Sequence, residues 1–279
     1  MAAMTDATTS IDRAGGLGML GACISIGSIL GPAGATALAP FGALMPIWGT
    51  IALNLAVAAM LAVALPPTRK RPKSAKRPTP LAMRDPRVFP HLVFLFSYFV
   101  AIGIVQQTLS WFIEDRYKFV DTATRSADEA IVLHTGIAFA CFAAGMITVQ
   151  FGYVQPRKPD PRKILPIGLA IVALGYVCAD LVFPFWAVAA SFLAVGGGAA
   201  LAVPAANALG SLSVTREEQG SAAALLAAAP PAGFIFGPLI GAILYSFMPE
   251  LPLYVSAALI GSLAVYALLV TSKRPVTPS

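Results

Sequence analysis

Charge is scarce in this chain, and the scarcity sets the first bound on what it can be. Only 11% of the 279 residues are charged, against 57% hydrophobic, and the mean hydropathy is +0.77. A soluble core of this length cannot hide so much apolar surface, which excludes a water-soluble domain and predicts an integral membrane protein. The three cysteines, Cys23, Cys141 and Cys178, all lie inside apolar runs, so neither a disulfide framework nor a cysteine metal site is expected. HExxH, GxSxG and Walker sequences are missing, and no pair of carboxylates lies within an apolar run. An enzyme is therefore not expected. The string Gly16-Leu17-Gly18-Met19-Leu20-Gly21 fits GxGxxG, but no strand precedes it and it falls in an apolar run, so no nucleotide cofactor is expected, nor any other cofactor or metal. The polar start, Met1 to Arg13, has no basic opening and no cleavage site, so it does not read as a signal peptide.

What the chain does have is long apolar runs. Eight are long enough to cross a hydrocarbon layer of about 30 Å, which takes roughly 20 helical residues. They fall at 15–38, 42–65, 89–113, 130–154, 164–182, 185–209, 221–247 and 252–271. The runs are too long for strands and do not alternate, so the fold class is all-α, a polytopic membrane protein with about eight transmembrane helices. The net charge of +6 sits in the loops. All but three of the 19 basic residues fall on one side: Arg13, the cluster from Arg69 to Arg87, Arg157 to Lys163, Arg216, Lys273 and Arg274. The exceptions are Arg116, Lys118 and Arg125. Basic loops stay in the cytoplasm, so both termini are expected to be cytoplasmic and the positive charge reads as topology, with no nucleic-acid partner. The Pro-, Lys- and Arg-rich stretch from Pro66 to Arg87 separates two spans from six. The expected domains are 1–65, two helices; 66–88, a basic cytoplasmic linker; and 89–279, a six-helix bundle.

The chain also repeats itself. Gly27-Ser28-Ile29-Leu30-Gly31-Pro32 recurs 206 positions later as Gly233-Phe234-Ile235-Phe236-Gly237-Pro238, and the same offset pairs Thr9 with Thr215 and Asp12 with Glu218. Small residues fall four apart in each copy: Gly27, Gly31 and Ala35, then Gly233, Gly237 and Gly241. Such a face lets a second backbone approach closely in lipid, and the following proline marks a bend. Internal repeats of this kind build many transporters. The Gly-Pro helix is the first span of the chain but the fifth of the six that follow the linker. If the two blocks are equivalent, the first lacks its opening four helices and the chain reads as the back two-thirds of a twelve-helix protein. The partner of the Gly233 face would then be a missing helix. That face is expected to meet lipid and to favour self-association or a partner chain.

The stretch Thr5 to Arg13, followed by Gly18, Gly27, Gly31 and Pro32, resembles the fourth loop and fifth helix of major facilitator superfamily transporters. Its Gly-x8-Gly-x3-Gly-Pro spacing is similar to the antiporter motif of that superfamily, with the small pair Ala35-Thr36 where a glycine pair is usual. The resemblance implies an incomplete major-facilitator fold, helices five to twelve. It implies a secondary transporter of small molecules, with proton-coupled efflux by alternating access, in the bacterial inner membrane. The alternative reading is a non-transporting scaffold or remnant of such a transporter.

A polar side chain within a span must find a partner or line water, so these are the candidate site residues. The third span holds Gln106, Gln107 and Trp111, with Tyr98 before them, and by the resemblance it is a cavity-lining helix. The sixth offers Ser191, and its Gly196-Gly197-Gly198 run is expected to serve bending or close packing. Asn54 in the second span is expected to bond a neighbouring helix. His134, near the outer end of the fourth, titrates near neutral pH and is the candidate for proton coupling. The expected partners are the lipid bilayer, an unidentified small-molecule substrate and protons.

Overall fold

A segment in hydrocarbon has no water for its peptide groups, so each long apolar run is expected to close its own backbone hydrogen bonds as a helix. In the computed structural model the described elements are all helical. The structure describes residues 44–64, 81–122, 126–215 and 218–272, with 27, 31, 34, 38, 41 and 42 as single positions. Seven helices among the described residues are long and apolar enough to cross a membrane. Most of the run expected at 15–38 and most of the linker expected at 66–88 lie outside the described residues.

The chain divides into two compact units, Met1–Arg77 and Pro78–Ser279. In the first, α1 (Met45–Ala64) carries two polar side chains that bond back one turn. Thr50 Oγ1 donates to the Pro46 carbonyl and Asn54 Nδ2 to the Thr50 carbonyl, each at 2.8 Å. Asn54 was expected to reach a neighbouring helix. Among the described residues its bond is to a carbonyl of its own helix, which a short polar side chain meets without any second element.

The second unit comprises α2 (Phe89–Tyr117), α3 (Ala127–Val149), α4 (Pro161–Leu181), α5 (Phe185–Leu212), α6 (Gln219–Leu226), α7 (Ala229–Phe247) and α8 (Leu251–Ser272). A capping box opens α3, with Ser126 and Glu129 each accepting the other's backbone N–H. That helix runs on through a π turn, Gln150–Val154, to Arg157. The run expected as one span over 221–247 is one membrane-crossing segment, Gln219–Phe247, whose helical ladder is interrupted partway. Pro230 and Pro231 have no N–H to carry the ladder across Ala227 and Ala228. Neighbours follow the order α3 on α5, α5 on α4, α4 on α8, α8 on α2 and α2 on α7. Leu95, Leu109, Leu169, Val195 and Ile260 are buried at the centre. Ser256 Oγ, also buried, donates to the Ala101 carbonyl at 3.0 Å and ties α8 to α2.

Three of these crossings are backbone against backbone. A Cβ on Gly196 would stand 1.8 Å from the Phe142 carbonyl oxygen, and one on Gly145 would stand 1.9 Å from that of Leu193, so α3 and α5 touch where only hydrogen fits. Gly168 and Gly198 do the same for α4 and α5, each 2.6 Å from the other's carbonyl oxygen. Between α2 and α7 the ridge Gly233, Gly237, Gly241 lies on Phe99, Gly103 and Ile104, with a Cβ on Gly237 only 2.8 Å from the Gly103 Cα. The expectation that this ridge meets lipid is therefore overturned. Its three glycines are buried against α2 of the same bundle. A copy of a helix need not take the partner its original would take, because Gly103 gives this one a smooth surface close by.

Polar clasps hold the two ends. At one, the Arg87 guanidinium donates to Asp85 at 2.9 Å and 3.1 Å and to both carboxylate oxygens of Glu218 at 2.8 Å and 3.0 Å. Glu218 also accepts from the Thr215 hydroxyl and backbone N–H. The start of α2 is thereby fixed to the turn between α5 and α6. The Arg87 guanidinium, with help from Thr215, lowers the Glu218 carboxyl from its ordinary 4.5 to about 2. At the other end, Arg116 donates to Asp180 at 2.8 Å, Tyr254 donates to the same carboxylate, and the guanidinium lies over the Phe112 and Phe183 rings. This joins α2, α4 and α8.

Two outcomes follow from this packing. Gly196→Ala and Gly145→Ala each cost about 1–3 kcal/mol by forcing α3 and α5 apart, whereas Gly152→Ala, with nothing within 4 Å of the new Cβ, stays within about 1 kcal/mol of the parent. Thermal unfolding in detergent reads both, and a stable Gly196→Ala would contradict the crossing. Glu218, with its pKa lowered on folding, stabilises fully above pH 4.5, and that contribution is lost as pH falls towards about 2. The melting-temperature gap between the parent and Glu218→Gln is therefore expected to be widest near neutral pH and to close on acidification.

Candidate functional site

The first helix of the second unit, α2, has a buried side and an open one. Leu95, Tyr98, Val105, Leu109 and Phe112 turn inward. Gln106, Gln107, Trp111, Glu114 and Asp115 are exposed, and Ser110 is half-buried among them. Their spacing of three and four places them on one stripe, beside the line where Gly103 meets α7. Gln106 and Gln107 stand a little past the middle of the 29-residue helix. Among the described residues neither amide has a hydrogen-bond partner. An amide at that depth is costly unless water or a bound molecule meets it.

Trp111 lies one turn further along. Its ring packs on that of Tyr245 from α7, centroids 5.3 Å apart and planes at 59°. The Tyr245 hydroxyl donates to the Asp115 carboxylate. The stripe thus offers two amides, then an indole on a second aromatic ring, then a carboxylate already engaged. Such a surface can hold a molecule that is largely apolar and carries a few hydrogen-bonding groups.

The other two candidate contacts lie elsewhere. Tyr98 is 2% exposed, inside the bundle, with its ring edge-on to Phe99. Ser191 Oγ donates to the Ala187 carbonyl at 2.8 Å, and its own carbonyl lies against Gly175 on the side of α5 that meets α4. The structure brings Gln106, Gln107 and Trp111 together and leaves Tyr98 and Ser191 out of that group. Eight residues of α-helix end about 80° from their starting direction, so Tyr98 does not share the face of Gln106. Phe99, seven residues before Gln106, comes closer to doing so, and it packs on Phe234 of α7.

His134 sits between the rings of Phe119 and Phe185, at centroid distances of 4.6 Å and 4.5 Å. Its Nδ1 lies 2.7 Å from the Ala130 carbonyl, which can only accept. A neutral ring in this position carries its hydrogen on Nδ1. In the first glycine copy, Gly27 and Gly31 are described as single exposed helical positions, while Gly18 and Pro32 lie outside the described residues. In the second copy Pro238 stands beside Gly103, within the contact with α2. No group of three or more His, Cys, Asp or Glu suited to a metal ion occurs among the described residues.

Tyr245 and Asp115 were not anticipated from the sequence. The signal was present: Tyr245 continues the four-residue spacing of Gly233, Gly237 and Gly241, so the residue after the last glycine had to meet α2.

Comparison with known proteins places the chain. A family model described as Major Facilitator Superfamily matches residues 1–159 and 130–279. Among curated proteins, tetracycline resistance protein class C of Escherichia coli is 28% identical over 256 residues, covering 87% of this chain and 61% of that protein. Tetracycline resistance protein class G of Vibrio anguillarum is 27% identical over 251 residues, with the same coverage of 87% and 61%. The chain thus spans about three-fifths of the length of the curated relatives it matches. Apolar helices long enough to cross a bilayer and a family match running from the first residue to the last lead to one assignment: this integral membrane protein belongs to the Major Facilitator Superfamily.

Proposed function

We propose that this chain works in a secondary transporter that expels small molecules in exchange for protons by alternating access. The observation that carries the reading is the pair of amides, Gln106 and Gln107, without a hydrogen-bond partner among the described residues, at mid-depth on an exposed face of a membrane helix. Buried in lipid they would be a liability, and lining a water-filled path they are a binding surface. Two relatives are named for resistance to tetracycline. A membrane protein protects a cell most directly by lowering the internal concentration of the drug, so an amphiphile of that class is the first substrate to try.

In this reading residues 1–65 contribute two spans of one bundle, 66–88 form a cytoplasmic linker and 89–279 form the six-helix bundle, corresponding to helices five to twelve of the family. The one-sided basic loops support cytoplasmic termini, and the relatives' source organisms support a bacterial inner membrane. Gln106, Gln107 and Trp111 contact the substrate. His134 is the candidate for the coupled proton.

Efflux-deficient bacteria expressing the protein from its own reading frame are expected to accumulate less tetracycline than control cells, and to lose the difference when the proton gradient is collapsed. The variant Gln106→Ala with Gln107→Ala should raise the apparent KM about tenfold, the size of one or two lost hydrogen bonds, with the maximal rate largely kept. Accumulation that is equal in expressing and control cells across tetracycline and a panel of other antibiotics would contradict the proposal.

A further inference from the structure

The glycine ridge of α7 does not stop at Gly241. Four residues on, the same line reaches Tyr245, the first position after the glycines of that line to carry a side chain. At Gly237 the two helices are nearly in backbone contact, and at Gly241 a Cβ would still stand 2.9 Å from the Ile104 carbonyl oxygen. One turn beyond that point the contact passes to side chains, and the Tyr245 ring packs against Trp111. Its hydroxyl reaches Asp115, one turn past Trp111 on α2. Tyr245 is therefore held at two places by the same helix, its ring on the indole and its oxygen on the carboxylate.

We propose that Tyr245 and Asp115 are a positioning pair that sets the orientation of Trp111 on the substrate face. Packing alone would be satisfied by phenylalanine. The hydroxyl adds a charge-assisted hydrogen bond that fixes the plane of the ring, and the indole then rests against a fixed plane rather than a swinging one. Trp111 is itself 36% exposed, so without that support it would have free volume to move into. Arg116, the neighbour of Asp115 in sequence, is turned to Asp180 on the other side of α2, which leaves the Asp115 carboxylate to Tyr245. The inference rests on Trp111 being a substrate contact, and its test separates the two claims.

Trp48 and Trp186 are both exposed, so Trp48→Phe with Trp186→Phe leaves Trp111 as the single indole of the full chain. In that background Tyr245→Phe and Asp115→Ala are each expected to lower the fluorescence anisotropy of Trp111. The double variant should fall no further than either single one, since both cut one bond. Asp115→Asn, which keeps a carbonyl acceptor, should retain most of the parent value. In transport, Tyr245→Phe should raise KM about three- to tenfold, the scale of one aromatic contact, with the maximal rate unchanged. Unchanged anisotropy in Tyr245→Phe, or additive losses in the double variant, would overturn the positioning pair whatever transport does. Lower anisotropy with an unchanged KM would uphold the pair and overturn the reading of Trp111 as a substrate contact.

Discussion

The second unit depends on helices touching through their backbones. Lipid tails are as apolar as leucine, so burying leucine against leucine gives two membrane helices little reason to associate. What remains is close van der Waals contact, and it grows as side chains are removed from the crossing. Gly145 with Gly196, Gly168 with Gly198, and Gly103 with Gly237 are the points at which three helix pairs meet without side chains between them. Around those points the larger residues have no choice of neighbour. The polar clasps at the ends, Arg87 with Glu218 and Arg116 with Asp180, then fix which way each helix leaves its crossing.

That constraint reaches the candidate site directly. Because α7 lies flush on α2 along the glycine ridge, the polar stripe of α2 is left open on the adjacent side, and Tyr245 is delivered to Trp111. Close packing and the candidate binding face use neighbouring lines of one helix. Each makes the other possible: the middle of the helix is held at Gly103 and the polar clasps lie at its ends, so Gln106 and Gln107 are not used to hold it in place.

Much of the architecture could be read from residue type and run length. A run over 89–113 became α2, but the helix continues to Tyr117, because hydropathy marks the thickness of the apolar layer rather than the end of the hydrogen-bond ladder. Glu114, Asp115 and Arg116 are helical all the same. Glycines four apart announced a close crossing without naming the partner, since Gly103 lies 134 positions before Gly237 and a packing face looks alike whichever helix it meets. The ion pair of Arg116 with Asp180 was hidden for the same reason of distance along the chain. Within the site the stripe of Gln106, Gln107 and Trp111 was legible as polar residues on a membrane helix. Tyr98 and Ser191 were not separable from it by residue type. Both are polar and within spans, and only the angle about the helix axis sends one into the core and the other towards α4.

The most direct test of the account is aqueous thiol labelling on a background with Cys23, Cys141 and Cys178 replaced by serine. The account predicts that Gln106→Cys, Gln107→Cys and Trp111→Cys react with a membrane-impermeant maleimide and are slowed by a transported drug, while Tyr98→Cys and Ser191→Cys stay inert. Equal reactivity at Tyr98→Cys and Gln106→Cys, or no reaction at either glutamine position, would contradict a water-lined substrate face on α2.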